Sequence, residues 1–393
     1  MIPSQQIWTG DLNRRAAGER PGAPASVGLY DTTLRDGEQT VGVALDPEQK
    51  LEIARALDEL GIDRIEAGFP RVSKDDTEAF RAIAAAGLKA AIWGFARAVP
   101  ADVDALLEIG VRAAVIESPV SDGKLSAYGI SREKLLERVV NAVTHASQNG
   151  VTVCFFGVDG SRADLSFLER VYKEAVAAGA SEIAIVDTLG AVTPEAAALL
   201  VGSAREWVGS DVPVHWHGHN DFGLATAAAI AAVGAGASWV QGTINGMGER
   251  AGNANLGEVA LALEALYGIG TNLRFDRIRA VSELVRRTSG YALEPWKPLT
   301  GETLFTRESG AVASQFHDPP AIEPYSSEIL GAQRRIVLGK KSGLDSIRIK
   351  LADLGIERPE DSWPALLASV KELGSRKHGL VTDEEFRELV DGR

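Results

Sequence analysis

The stretch "VGLYDTTLRDGEQTVGVALDPEQKLEIARALDELGIDRIEAG", residues 27–68, carries the reading of the fold. It opens with a short apolar run, "VGLYDTTL", passes through a polar turn and becomes amphipathic at Asp46. Asp46 can cap a helix, and Pro47 suits a first helical turn, where its missing N–H is not needed. Leu51, Ile53, Ala54, Leu57 and Leu60 then share one helical face, and Gly61 suits the helix end. "RIEAG" follows as a second strand. The same alternation continues down the chain. The strand candidates "KAAIWG", "AAVIES", "VTVCFF", "EIAIVDT", "PVHWH" and "WVQGT" are separated by helices near 74–86, 101–109, 131–149, 164–177, 194–207, 221–236 and 256–267.

Strands alternating with helices imply a parallel sheet. Eight such units of this size imply an α/β fold of the closed (β/α)8 TIM-barrel type. An open doubly wound sheet is the alternative, but no GxGxxG follows the first strand. Beyond Gly270 the rhythm stops. The spacing predicts an N-terminal arm over 1–25, polar and carrying Arg14, Arg15 and Arg20, and a catalytic barrel over 26–285. A loop-rich linker or lid with Pro295, Pro298, Pro319, Pro320 and Pro324 follows over 286–345, and a small helical C-terminal region over 346–393.

Bulk properties narrow the function. The chain has 393 residues, a net charge of −13 and 45% hydrophobic content, enough for a large core and opposed to a nucleic-acid footprint. A single cysteine, Cys154, excludes an intrachain disulfide and thiolate-rich zinc sites, and it fits a cytoplasmic protein. No apolar run is long enough for a membrane span, and the N-terminus lacks a signal-peptide core.

In a barrel of this kind the active site forms where the strands end. Strand one delivers Arg35, Asp36, Glu38 and Gln39, and strand two Glu66. Strand three delivers Arg97; strand four Glu117, Ser118 and Ser121; strand six Asp187 and Thr188. Strand seven brings "VHWHGHNDFG", in which His215, His217 and His219 alternate and so share a strand face. Two imidazoles two residues apart can reach one cation, and a carboxylate from strand one and an amide oxygen from the strand-eight loop can complete the set. Nitrogen and oxygen donors without thiolates suit Mn²⁺, Mg²⁺, Zn²⁺ or Fe²⁺. The glycine-rich "GERAGNANLGE" enters the last barrel helix and offers Asn253 as that amide.

"DTTLRDGEQ" (31–39), "HGHNDFG" (217–223) and "NGMGERAGNA" (245–254), in this order and at these strand ends, resemble the homocitrate synthase and 2-isopropylmalate synthase family. These are barrel enzymes that condense an acyl-CoA with a 2-oxo acid on a divalent metal. The likeness runs from about Val27 to Gly343, through "SPVSD", "SRADL", "VDTLGAVTPE", "ESG" and "RRIVLGKKSG", and in length the nitrogen-fixation type of homocitrate synthase is the nearest match. The resemblance implies Asp36, His217, His219 and Asn253 as metal ligands. It implies Arg35 as the group that polarises the oxo acid carbonyl, with Gln39 beside it, and Thr188 as a carboxylate-binding residue. Glu66, Arg97 and Arg162 are further substrate-binding candidates. Acetyl-CoA is the implied co-substrate, and a homodimer the implied assembly.

Three positions depart from the pattern. Val158 stands where the family has a glutamate on strand five, Val312 where it has a late histidine, and Ile322 where it has a tyrosine. His317 is the expected substitute for the histidine. A metal-dependent aldolase or lyase on the same barrel, or a catalytically silent paralogue, are the alternative readings.

Overall fold

The computed structural model describes residues 1–17 and 24–392. Arg20 of the N-terminal arm lies outside them. The chain divides into two compact units: Met1 with Asp11–Ala292, and Ile2–Gly10 with Leu293–Arg393.

The first unit is a closed, all-parallel barrel of eight strands in sequence order. The strands are β1 (Gly28–Asp31), β2 (Arg64–Glu66), β3 (Ala91–Arg97), β4 (Ala113–Pro119), β5 (Thr152–Val158), β6 (Glu182–Asp187), β7 (Val214–Gly218) and β8 (Trp239–Gly242). β8 closes on β1 through Gly28 opposite Trp239 to Asp31 opposite Gly242. The expected (β/α)8 architecture is therefore present. The helix expected from the opening stretch spans Pro47–Leu60, with Asp46 and Gln49 forming a reciprocal capping box and Gly61 ending it in a left-handed conformation. A short helix over Asp122–Tyr128, not expected from periodicity, precedes the long Arg132–Gln148 helix. The last barrel helix, Leu256–Ala262, continues as a π-helical turn over Leu263–Tyr267. Among the described residues no helix is long and apolar enough to cross a membrane.

Alternation along the strands decides what faces inward. Tyr30, Trp93, Val115, Cys154, Phe156, Ala184 and Val186 form one buried cluster inside the barrel, with Phe95, Ala113 and Val158 packed against it. At the amino-terminal end the lining becomes ionic. Arg64 at the start of β2 pairs with Glu182 at the start of β6 through two bonds of 2.6 and 3.0 Å. Its guanidinium carbon lies 3.5 Å from the Trp239 ring centroid and 4.5 Å from that of Trp93. Glu182 also meets His215 Nε2 at 2.7 Å, and Gln241 Nε2 meets His215 Nδ1 at 3.1 Å. Cys154, Glu182 and His215 lie close enough to hold an ion. Glu182 and His215 are already committed to Arg64 and Gln241, so we read this group as a buried polar plug.

Burial alone would raise the Glu182 carboxyl, but His215 and Arg64 outweigh it and bring it down to about 2. The unfolded chain thus binds a proton here before the folded one does. The stability from this pair is complete above the ordinary value of 4.5 and is lost as pH falls towards 2. Arg64→Met leaves Glu182 buried without its bidentate partner. It is expected to cost about 3–5 kcal/mol, read as a lower urea midpoint at pH 7, with a shallower loss of stability on acidification than the wild type shows.

The second unit holds a two-stranded parallel ribbon, Thr306–Arg307 with Arg335–Ile336, a single helical turn, Gly310–Ala313, and three longer helices, Leu344–Asp353, Trp363–Lys377 and Asp383–Asp391. Leu338, Ile347, Leu351, Val370, Val381 and Phe386 form its core. Residues 2–10 belong here: Ile7 bridges to Tyr325, and Trp8 N donates to Pro324 O at 2.8 Å. The late "ESG" and "GKKSG" segments meet back to back. A Cβ on Gly310 would lie 2.6 Å from Gly343 Cα, and Gly310 N donates to Lys341 O at 3.0 Å. Their glycines allow two backbones to touch.

Candidate active site

The first wall is built by the turn after β1. The amides of Arg35, Asp36 and Gly37 all converge on Thr32 O, at 3.1, 2.8 and 3.0 Å. Thr32 is itself tied to Gly242 of β8 through its N–H (2.8 Å) and its hydroxyl (3.1 Å). Thr33 Oγ1 accepts from Ile244 N at 2.9 Å. The turn is thus locked to the neighbouring strand, and its side chains are aimed by backbone rather than by their own packing.

The second wall is β7 and the loop after β8. His219 and Asn253 form an isolated antiparallel bridge, and Asn220 N donates to Gly252 O at 2.9 Å. Gly252 has φ +82°, and a Cβ there would fall 1.9 Å from Gly246 O, so the "GERAGNA" loop closes only with glycine at that position. Asn253 Nδ2 donates to Met247 O at 2.9 Å, which fixes the amide with its oxygen left over.

These walls bring four buried side chains together. Asp36 Oδ2 lies 3.4 Å from His217 Nε2 and 3.8 Å from His219 Nε2. The two imidazole centroids are 5.3 Å apart. One donor atom from each of these three residues lies within 4.8 Å of the others. Asp36 Oδ1, Asn253 Oδ1 and the Nδ1 atoms of both histidines are buried without a hydrogen-bond partner. Each such orphan costs about 1–3 kcal/mol unless something satisfies it. Burial keeps the histidines neutral: it pulls His217 down to about 3, and it also lowers His219, with Asp36 only partly opposing it. Burial would raise Asp36, but Arg35, His217 and His219 outweigh it and hold the carboxylate ionised. A neutral imidazole pair, an ionised carboxylate and a spare amide oxygen fit a divalent cation.

Arg35 lies against this group. Nε is bonded to Glu66 Oε1, Nη1 donates to Asp36 Oδ2 at 3.0 Å, and the guanidinium carbon sits 4.2 Å from the Phe95 ring centroid. Nη2 is buried and unpartnered. Burial opposes the charge, but Glu66 and Asp36 outweigh it and push the pKa above the ordinary arginine range. Glu66 is fully buried and accepts from Tyr30 Oη at 2.9 Å. It therefore orients Arg35 from beneath.

The other expected residues have different surroundings. Gln39 is exposed and borders a cleft of about 300 Å³ with Leu34, Arg35, Phe69 and Phe95. Thr188 Oγ1 accepts from Asp159 N at 2.8 Å, and its carbonyl accepts from Arg250 Nη2 at 2.6 Å. Arg97 is 53% exposed and engaged by Asp102 at 2.7 and 3.0 Å. Arg162 is held in the same bidentate manner by Asp159, at 2.8 and 2.7 Å. His317 lies in the second unit, exposed to solvent, and Val312 sits there in the Gly310–Ala313 turn of helix.

The structure adds residues that motif reading did not select. Phe156 packs edge-on against His217, with centroids 5.0 Å apart, and Phe95 packs edge-on against Phe156 at 6.3 Å. Gln241, two residues above Trp239 on β8, donates to His215 Nδ1 at 3.1 Å and leaves Oε1 buried without a hydrogen-bond partner. Strand parity would have found all three, since they stand in phase with Trp93, Cys154 and Trp239 along their strands.

Comparisons with known proteins identify the family of the chain. The HMGL-like family model matches residues 26–285. A homocitrate synthase of Methanopyrus kandleri is 44% identical over 369 residues, covering 93% of this chain and 92% of its own. A probable 2-isopropylmalate synthase of Ignicoccus hospitalis is 42% identical, covering 96% and 94%. A putative (R)-citramalate synthase of M. kandleri is 43% identical, covering 94% and 72%. Among solved structures, a hydroxymethylglutaryl-CoA lyase from Pseudomonas aeruginosa superposes with a TM-score of 0.62 over 69% of this chain and 95% of its own, at 21% identity, a likeness of fold. With its barrel matched by the family model and nearly its whole length shared with these synthases, the chain belongs to the HMGL-like family, among the homocitrate and 2-isopropylmalate synthases.

Proposed function

We propose that the protein condenses the acetyl group of acetyl-CoA with a 2-oxo acid and releases free CoA, using a divalent metal held by Asp36, His217, His219 and Asn253. The observation that carries this reading is the convergence of three ionisable ligands, correctly protonated for a cation, beside a buried Arg35 with one guanidinium nitrogen unused. When bound, the metal supplies Lewis-acid polarisation of the oxo acid carbonyl. Arg35 Nη2 is placed to donate to the carbonyl oxygen as negative charge grows there, and because Glu66 and Asp36 fix the fork beforehand, no reorganisation is needed during the reaction. Thr188 is the candidate donor to the oxo acid carboxylate. Phe95 and Phe156 exclude water from the reacting centre and strengthen each electrostatic contact in it.

The test is thiol release by purified protein with Mn²⁺ or Mg²⁺, acetyl-CoA and a panel of pyruvate, 2-oxoglutarate, 2-oxoisovalerate, oxaloacetate and phosphonopyruvate. At least one acid is expected to release CoA in step with its own consumption. Silence across the panel, with cleavage of a 4-hydroxy-2-oxo acid instead, would replace this reading with a lyase.

A further inference from the structure

Five carboxylates stand on the barrel strands themselves: Asp31, Glu66, Glu117, Glu182 and Asp187. Four are committed. Asp31 accepts from Thr33 N and Oγ1 at 2.8 and 2.9 Å. Glu66 holds Arg35 and Tyr30, and Glu182 holds Arg64 and His215. Asp187 accepts from Ser161 Oγ at 2.7 Å and from two backbone amides of its own loop. At the loops above, Asp159 and Asp221 are each clamped by an arginine. The carboxylate of Glu117 has no hydrogen bond or ion pair among the described residues, its backbone carbonyl alone accepting from Ala98 N at 2.9 Å outside the strand ladder.

Its direction follows from the strand. Ala113 and Val115 pack into the barrel interior, so Glu117, two residues further on, takes the same side. It is the inward residue of β4 nearest the carboxyl end before Pro119. Its register partners are Arg97 on β3 and Phe156 on β5. Phe156 is the ring that packs on His217. Glu117 is half-buried and lines a cleft of about 440 Å³ together with Val158, Tyr128 and Arg138. The charged groups that act on it are Arg35, Arg97 and Lys124, which favour its ionised form, and Asp102, which opposes it. Burial outweighs them, and the carboxyl sits above the ordinary glutamate range.

We infer that Glu117 is the proton-transfer group of this active site, taking the proton from the methyl carbon of the acetyl thioester. The inference rests on the condensation reading above. The C–H electron pair passes into the enolate of the thioester. The enolate carbon attacks the ketone carbon of the oxo acid, and the carbonyl π pair moves onto oxygen, which takes a proton from solvent to become the product hydroxyl. Water then breaks the C–S bond, its oxygen entering the new carboxylate; one of its protons goes to the CoA thiolate and the other to solvent, and the proton on Glu117 also returns to solvent through the cleft. A half-buried, uncommitted carboxylate with a raised pKa beside a polarising centre is suited to this transfer. It lies one strand from Val158 and supplies a free carboxylate to a mouth where the acid following β5, Asp159, is already held by Arg162.

The test compares wild type, Glu117→Gln, Glu117→Asp and Glu117→Met with Mn²⁺, acetyl-CoA and the acid that the wild type turns over fastest. Glu117→Gln is expected to lower kcat about a hundredfold or more, with KM for the oxo acid within about threefold, and metal content and Tm unchanged. Glu117→Asp should recover part of the rate, and Glu117→Met should be as slow as Gln, which guards against misfolding specific to the amide. Loss of deuterium from trideuterated acetyl-CoA should slow in parallel. A Gln variant that keeps kcat within threefold overturns the inference, as does one that changes only KM or the preferred oxo acid. Wild-type silence with every acid would instead overturn the condensation reading itself, so the two failures are distinguishable.

Discussion

Arg35→Lys is expected to lower kcat for the preferred 2-oxo acid about a thousandfold, the scale of losing a pre-aimed donor to a developing oxyanion. Three contacts fix the guanidinium at once: Glu66 at Nε, Asp36 at Nη1 and the face of Phe95, with Nη2 left buried and unpartnered. Lysine keeps the charge, so Glu66 and Asp36 are not stranded without a cation. It cannot keep the fork, because an ammonium is a single point that will settle between the two carboxylates. Metal content by elemental analysis and far-UV circular dichroism should match the wild type, and KM for acetyl-CoA should move little. A lysine variant that retains a tenth of the wild-type kcat would show that charge alone suffices and that Nη2 is not aimed at the reacting oxygen.

The contrast between Arg35 and the other expected basic residues shows what residue order can and cannot reveal. The barrel was legible because period-two and period-3.6 runs alternate with capped helix starts such as Asp46–Pro47 and glycine stops such as Gly61. Asp36, His217, His219 and Asn253 were legible as candidates because short polar motifs at strand ends have few bland explanations. Whether a cation faces the centre was not legible. Arg97 and Arg162 stand at the ends of β3 and after β5, as a substrate ligand would, but acidic residues five and three positions away, Asp102 and Asp159, hold them. Glu117 was visible as a strand-end acid, but its importance depends on which neighbours are already bonded, a property of the assembled barrel. The "ESG" and "GKKSG" segments were read as family motifs. The contact of Gly310 with Gly343 gives them a packing role that no local pattern encodes.

The metal reading makes the other large prediction, and His215 supplies its control. His217→Ala removes an imidazole whose Nε2 faces Asp36, and it is expected to abolish turnover and the response to metal together. In the wild type, Mn²⁺ added to chelator-treated protein at about a hundred times its Kd should stabilise the fold by about 2.7 kcal/mol, seen as a rise in Tm that EDTA reverses. In His217→Ala that rise should vanish, while the Tm without metal changes little or increases, since the mutation also removes a buried Nδ1 that has no partner. His215 lies on the same strand face two residues away, but Glu182 at 2.7 Å and Gln241 at 3.1 Å claim both of its nitrogens. His215→Ala should therefore show the reverse pattern: a lower Tm without metal, because Glu182 and Gln241 each lose a buried partner, with the Mn²⁺-induced rise retained. If His215→Ala loses the metal response while His217→Ala keeps it, the cation belongs in the plug at the amino-terminal end of the barrel, beside Cys154 and Glu182, and the assignment at the carboxyl end is wrong.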